Sequence, residues 1–208
     1  FLTRHHYTSE VPEKCGHYSY VALHQPEEAF EVLEKSREIV DKYGISKVKA
    51  IVEGGKERYH SVFEGLKQTS DADYVLIHDG ARPFVNQEII RRCMLEVPEY
   101  QACVVGMPVK DTIKIADTDG FIKGFVGSTP DRKSVWMIQT PQTFSYALIY
   151  EAYEEMLKTE DAAITDDAMV LERTKGKKSK LIEGSYRNIK ITTPEDLLIA
   201  NVYLQHPE

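Results

Sequence analysis

The stretch VLIHDGARPFV at residues 75–85 places a carboxylate, a glycine and a guanidinium, Asp79, Gly80 and Arg82, directly behind an apolar run. Four to five apolar residues bounded by Gly and Pro read as a buried parallel strand, and in open α/β sheets ligands bind beyond the carboxyl ends of such strands. A carboxylate there can hold a divalent cation together with phosphate oxygens, and a guanidinium can donate two hydrogen bonds to a phosphate. Gly80 has no side chain, so the backbone can approach a ligand closely. Gly54 and Gly55 close a second apolar run, KVKAIVEGG, where the plain reading of a glycine pair is a turn.

The elements that must position these residues alternate along the chain. YSYVAL (18–23) predicts a strand and QPEEAFEVLEKSREIVDKYG (25–44) a helix, with Pro26 in its first turn, acidic residues at its positive end and Gly44 at its stop. KVKAIVEGG (47–55) predicts a strand and RYHSVFEGLKQT (58–69) a helix with Val62, Phe63 and Leu66 on one face. DYVLIH (73–78) is a strand, NQEIIRRCMLEV (86–97) a helix and QACVVGMPV (101–109) a strand. Residues 110–138 lack helical periodicity and read as a β-hairpin arm turning at 117–120, too small to stand alone and so expected to lie against a second subunit. Helices at 145–158 and 165–175, the strand KLIEG, the segment RNIKITT and a helix from Pro194 to about Leu204 follow. The alternation implies an α/β fold.

Composition narrows what such a fold can serve. With 208 residues and 42% hydrophobic content, the chain can bury the core of one domain. A net charge of -7 and a pI near 5.6 argue against nonspecific nucleic-acid or anionic-membrane binding, so any polyanion must be met by a few placed Lys and Arg. Cys15, Cys93 and Cys103 form no CxxC pair, which points to a reducing compartment; with no apolar span and no signal peptide, a cytoplasmic protein is expected. His5, His6, Cys15 and His17 are metal-ligating types, but their spacing fits no standard zinc finger and irregular flanks favour a solvated segment.

Seven segments, IVEGGKERYHSV (51–62), VLIHDGARPFV (75–85), PVKDTIK (108–114), DRKSVW (131–136), QTPQTF (139–144), ITDDAMVLE (164–172) and EGSYRNIKITTPEDL (183–197), resemble, in order, the motifs of the 2-C-methyl-D-erythritol 4-phosphate cytidylyltransferase family. The resemblance spans about residues 45–204 and implies a single nucleotidyltransferase domain over 1–208. Its implied fold is Rossmann-like: a mostly parallel sheet with helices on both faces and a protruding β-hairpin arm at about 109–136 for dimerisation. The implied reaction joins CTP and 2-C-methyl-D-erythritol 4-phosphate into CDP-methylerythritol, releasing pyrophosphate, with Mg²⁺ or another divalent cation as cofactor. Such transfer asks protein groups for positioning and charge neutralisation rather than covalent chemistry.

The resemblance assigns Asp79 to the metal and to the junction of the two substrates, and Arg82 to the substrate phosphate region. Gly54, Gly55 and Gly80 would contact the nucleotide through backbone, and Ser61 would hydrogen-bond the base; Lys56 stands where relatives often carry Asp. Thr112 and Arg132, at the two ends of the arm, would reach across a dimer to the methylerythritol phosphate. Thr140, Thr165 and Lys190 would complete that pocket, Lys190 from a NIKIT strand, with Arg132 and Lys190 as the catalytic cations.

The first 45 residues depart from this pattern. Relatives open with a strand and a glycine-rich loop of the form LAAGxGxRM, followed by Pro-Lys-Gln, whose Arg and Lys clamp the triphosphate. Residues 1–24, FLTRHHYTSEVPEKCGHYSYVALH, contain no such loop, and the distance to the EGG motif is shorter by something like 25 residues. Two other readings stay open on the sequence: a ribitol-5-phosphate cytidylyltransferase, which shares the TPQ and NIKITTP motifs, and a non-catalytic dimeric nucleotide-binding protein.

Overall fold

A computed structural model describes residues 2–5, 20–22, 29–117, 125–159 and 164–206, with side chains from residue 33 onward. β1 (Leu2–His5) forms within the stretch expected to be a solvated segment, and from β2 (Tyr20–Ala22) the first half alternates as the apolar periodicity requires: α1 (Ala29–Lys42), β3 (Val48–Ile51), α2 (Arg58–Lys67), β4 (Tyr74–Ile77), α3 (Gln87–Tyr100) and β5 (Ala102–Pro108). Gly44, at φ 59°, takes the left-handed turn that follows α1, a conformation that glycine adopts without steric cost. α3 starts where the Asn86 side chain accepts from the Ile89 N–H at 2.9 Å, and it runs beyond the expected residue 97, through Pro98, to a left-handed Gln101. Residues 25–28, the expected start of α1, lie outside the described residues, as do Cys15 and His17.

The second half holds β6 (Ile115–Ala116), β7 (Val126–Ser128), a 3₁₀ turn at Arg132–Ser134, β8 (Trp136–Ser145), α4 (Tyr146–Met156), α5 (Asp167–Lys175), β9 (Lys180–Glu183) and α6 (Pro194–Gln205). β6 and β7 pair antiparallel as a separate two-stranded ladder within the stretch expected to form the arm; the tip, 118–124, lies outside the described residues. β8 corrects the expectation that the stretch up to residue 138 belongs to the arm. It is an interior strand of the main sheet, between β4 and β5 and antiparallel to both. Pro141 lies inside it and removes a donor, which makes the run look like a loop in sequence. The register against β5 shifts between Val104 and Gly106, and Gln139–Pro141 fall in that break, where no ladder donor is needed.

The main sheet has seven strands in the order β3-β2-β1-β4-β8-β5-β9. β2, β3, β4, β5 and β9 share one direction and β1 and β8 oppose it, so the sheet is mixed with most strands parallel in direction. Alternate residues of β5 divide between two cores, as the period of two in a strand demands. Ala102 and Val104 join Val75, Ile77, Phe144, Ile149, Tyr153 and Leu171 under α2, α4 and α5, while Cys103 and Val105 join Ile89, Cys93, Val97 and Ile182 under α3. Helices thus cover both faces, and beyond the end of β4 the polar Asp79 and Arg82 meet Thr140, a buried polar residue in the middle of β8.

Candidate active site

β4 ends at Ile77, and the chain turns at once, the Arg82 N–H donating to the Asp79 carbonyl at 3.0 Å. This turn holds Asp79 and Arg82 above the sheet. Lys190 reaches the same place from an extended segment rather than from the expected strand: residues 184–193 form no ladder with the strand-end loop, because their one backbone–backbone bond to it, the Ile191 N–H on the Ala81 carbonyl at 2.8 Å, is isolated. Thr140 comes from the irregular stretch of β8, where its hydroxyl accepts from the Asp79 N–H at 3.0 Å.

Three cations converge on the Asp79 carboxylate. Lys190 Nζ lies 3.1 Å and Arg82 Nε 3.8 Å from Oδ2, and an Arg58 guanidinium nitrogen lies 3.5 Å from Oδ1. Burial alone would push the Asp79 carboxyl up, but Arg58 foremost, then Lys190 and Arg82, outweigh it and hold it below the ordinary carboxylate value. Arg82 is itself anchored by donating to the Asn188 carbonyl at 2.8 Å, and the buried Asn188 amide donates to the Thr140 carbonyl at 2.9 Å.

His78 completes the backing of this cluster. One ring nitrogen, Nε2, lies 3.0 Å from the Arg82 carbonyl, which can only accept, so the proton belongs on Nε2 and the Thr140 hydroxyl donates to Nδ1 at 3.0 Å. Burial lowers the imidazole's pKa, against the carbonyl bond that favours its charged form. A neutral His78 fits a site already crowded with cations.

Arg58, the first residue of α2, was not among the residues singled out in the sequence. Its fork donates to both oxygens of Asp167, at 2.9 and 2.8 Å, while the second nitrogen also faces Asp79. Asp167 is fully buried at the start of α5 and accepts from the buried Tyr153 hydroxyl at 2.5 Å. The Asp167 carboxylate, opposed by burial, raises the Arg58 pKa and keeps the guanidinium charged. Only long-range geometry could reveal this pair, because 109 residues separate its members.

α2 also carries the glycine loop. The Ser61 hydroxyl accepts from the Gly55 N–H at 3.0 Å, so in this structure it fastens its own loop. A Cβ on Gly55 would come within 2.2 Å of the His60 Cβ, which gives glycine there a packing reason. Gly54, Gly55 and Ser61 therefore form one unit, Asp79, Gly80, Arg82, Thr140 and Lys190 another, and Arg58 stands between them.

Three expected site residues lie elsewhere. Thr112 is exposed between β5 and β6, and Arg132, in the 3₁₀ turn, donates to the Lys110 carbonyl at 3.1 Å. Thr165 is exposed just before α5, its hydroxyl 4.0 Å from the Met169 sulfur. Among the described residues, no hydrogen bond or ion pair joins any of the three to Asp79, and no group of three or more His, Cys, Asp or Glu side chains could hold a metal. No described helix is long and apolar enough to cross a membrane.

A sequence model of the family described as 2-C-methyl-D-erythritol 4-phosphate cytidylyltransferase matches residues 21–206. The chain belongs to this family. A relative of that name from Lachnoclostridium phytofermentans is 48% identical over 175 residues, covering 84% of this chain and 73% of the relative. Another from Lachnospira eligens is 45% identical over 201 residues, covering 96% and 86%. Among solved structures, a 4-diphosphocytidyl-2C-methyl-D-erythritol synthase from Anaerococcus prevotii superposes with a TM-score of 0.77 at 35% identity, covering 89% of this chain and 78% of that one. The expected α/β architecture of a cytidylyltransferase is therefore correct.

Proposed function

We propose that this chain transfers the cytidylyl group of CTP to 2-C-methyl-D-erythritol 4-phosphate at the Asp79 cluster. Family membership supports the reaction, and one observation supports its location: three cations, Arg58, Arg82 and Lys190, stand within 4 Å of a single carboxylate at a strand end. In the transfer, an oxygen of the methylerythritol phosphate attacks the α-phosphorus. The bond from that phosphorus to the bridging oxygen of the β-phosphate breaks, and pyrophosphate leaves with the electron pair.

The protein's part is to align two anions and neutralise their charge. Lys190, as a point charge, and Arg132, as a two-pronged donor, hold the attacking phosphate, with Thr112 and Thr165 as neutral donors around it and Thr140 completing the pocket by accepting from the Asp79 N–H. Arg82 faces the same phosphate region. Gly54, Gly55, Ser61 and Gly80 face the nucleotide. Arg132 and Thr112 enter from the segments that flank the β6–β7 ladder of a second subunit, in a homodimer built on that ladder, and the reaction takes place in the cytoplasm.

A divalent cation, Mg²⁺ in the first instance, fits the donor set. Mg²⁺ is commonly held by one or two carboxylates plus substrate phosphates, and Asp79 Oδ1 has its nearest cationic contact no closer than 3.5 Å. Asp79 would hold it, and it would supply charge neutralisation at the α-phosphate. The test is pyrophosphate release with CTP, Mg²⁺ and methylerythritol phosphate, with ribitol 5-phosphate in parallel. Release with the former supports the reading; release with ribitol 5-phosphate alone, or with neither, overturns it.

A further inference from the structure

We propose that Arg58 is a positioning residue that sets the orientation of the Asp79 carboxylate for the transfer, an inference that rests on the function proposed above. Lys190 and Arg82 both approach Oδ2, whereas among the described residues the polar contact to Oδ1 comes from Arg58 alone. With only Oδ2 held, the carboxylate can still rotate about its bond to Cβ; a second, longer contact on Oδ1 limits that rotation without closing the oxygen to a cation.

The anchor for this contact lies in the core. Tyr153 on α4, fully buried, donates to Asp167 on α5, and Asp167 takes both prongs of Arg58 on α2. Three helices thus converge on one guanidinium whose second nitrogen is shared between Asp167 and Asp79. An ion pair serving stability alone would be satisfied by the bidentate contact with Asp167 and would not need a nitrogen turned to the site.

Lysine cannot replace this function, because one ammonium cannot grip Asp167 with two donors and face Asp79 at once. Arg58→Lys is expected to lower kcat by about 10²-fold, the scale of a 1 Å misplacement, with KM for CTP unchanged. Arg58→Gln combined with Asp167→Asn removes the guanidinium without stranding a buried carboxylate, leaves the Tyr153 hydroxyl an acceptor, and is expected to show the same kcat loss in a folded protein. A folded double variant with wild-type kcat would overturn the proposal, as would an Arg58→Lys variant whose loss disappears when rate is expressed per folded molecule.

A crystal structure of the double variant separates this inference from the proposed reaction. If the wild-type chain releases no pyrophosphate, the reaction is wrong, and the carboxylate geometry then decides alone. Asp79 turned away from Lys190 supports positioning by Arg58; Asp79 Oδ2 still about 3.1 Å from Lys190 Nζ, in its present orientation, overturns it.

Discussion

Removing the Asp167 carboxylate should damage the fold more than any exposed charge change. Asp167→Ala leaves the Arg58 guanidinium without its bidentate partner and the Tyr153 hydroxyl without an acceptor in a fully buried position. Breaking a buried ion pair from one side costs about 3–5 kcal/mol, and stranding a buried hydroxyl costs about 1–3 kcal/mol. The Arg58 side chain is 37% exposed, so the freed guanidinium can reach water, which places the combined loss at about 4 kcal/mol. For a chain of this length, each kcal/mol shifts the midpoint by about 2–4 °C, so thermal unfolding followed by circular dichroism should move down by roughly 8–16 °C. Asp167→Asn keeps an acceptor for Tyr153 and should lose about half as much. An Asp167→Ala protein that melts within about 2 °C of wild type would refute the reasoning that this pair ties the three helices together.

Lys190→Met keeps the length of the side chain and removes the charge; it should cut turnover by about 10²-fold while leaving the melting temperature within a few degrees, as followed by pyrophosphate release and calorimetry. Cys93 and Cys103 should resist thiol reagents at pH 8, because burial pushes the first to about 11 and burial with the neighbouring Cys93 pushes the second to about 12; rapid labelling of either in folded protein would contradict the packing of α3 on β5. The sign runs the same way for stability: these thiols stay protonated in the fold, so their contribution is present below pH 9 and declines as pH rises through their raised values. Gly55→Ala should shift the loop away from His60 and weaken CTP binding, measured by titration calorimetry, more than it lowers the melting temperature.

Local signals were the legible ones. The βα alternation from residue 18 to 109 follows from apolar periodicity and helix stops, and the pairing of Asp79 with Arg82 follows from what a strand end can present to a ligand, whereas β1 carries no such signal. β8 was hidden by Pro141, since a proline inside a run ordinarily marks a break, and only the register shift opposite it shows how the sheet absorbs the missing donor. Lys190 reads as a strand residue from its alternating neighbours, yet its segment makes a single backbone bond to the loop after β4. Arg58 and Asp167 stand inside quoted motifs, but each alone looks like an ordinary helix-end charge. Their significance lies in a contact across 109 residues, which no local pattern encodes.

The central claim is that the transfer takes place at Asp79, and Asp79→Ala tests it most directly. The variant should retain its fold, because the Lys190 and Arg58 side chains are 44% and 37% exposed and Arg82 keeps its bond to the Asn188 carbonyl. We predict a loss of about 10²-fold or more in pyrophosphate release from CTP with methylerythritol phosphate and Mg²⁺, at an unchanged circular dichroism spectrum. Wild-type turnover in that folded variant would contradict the account.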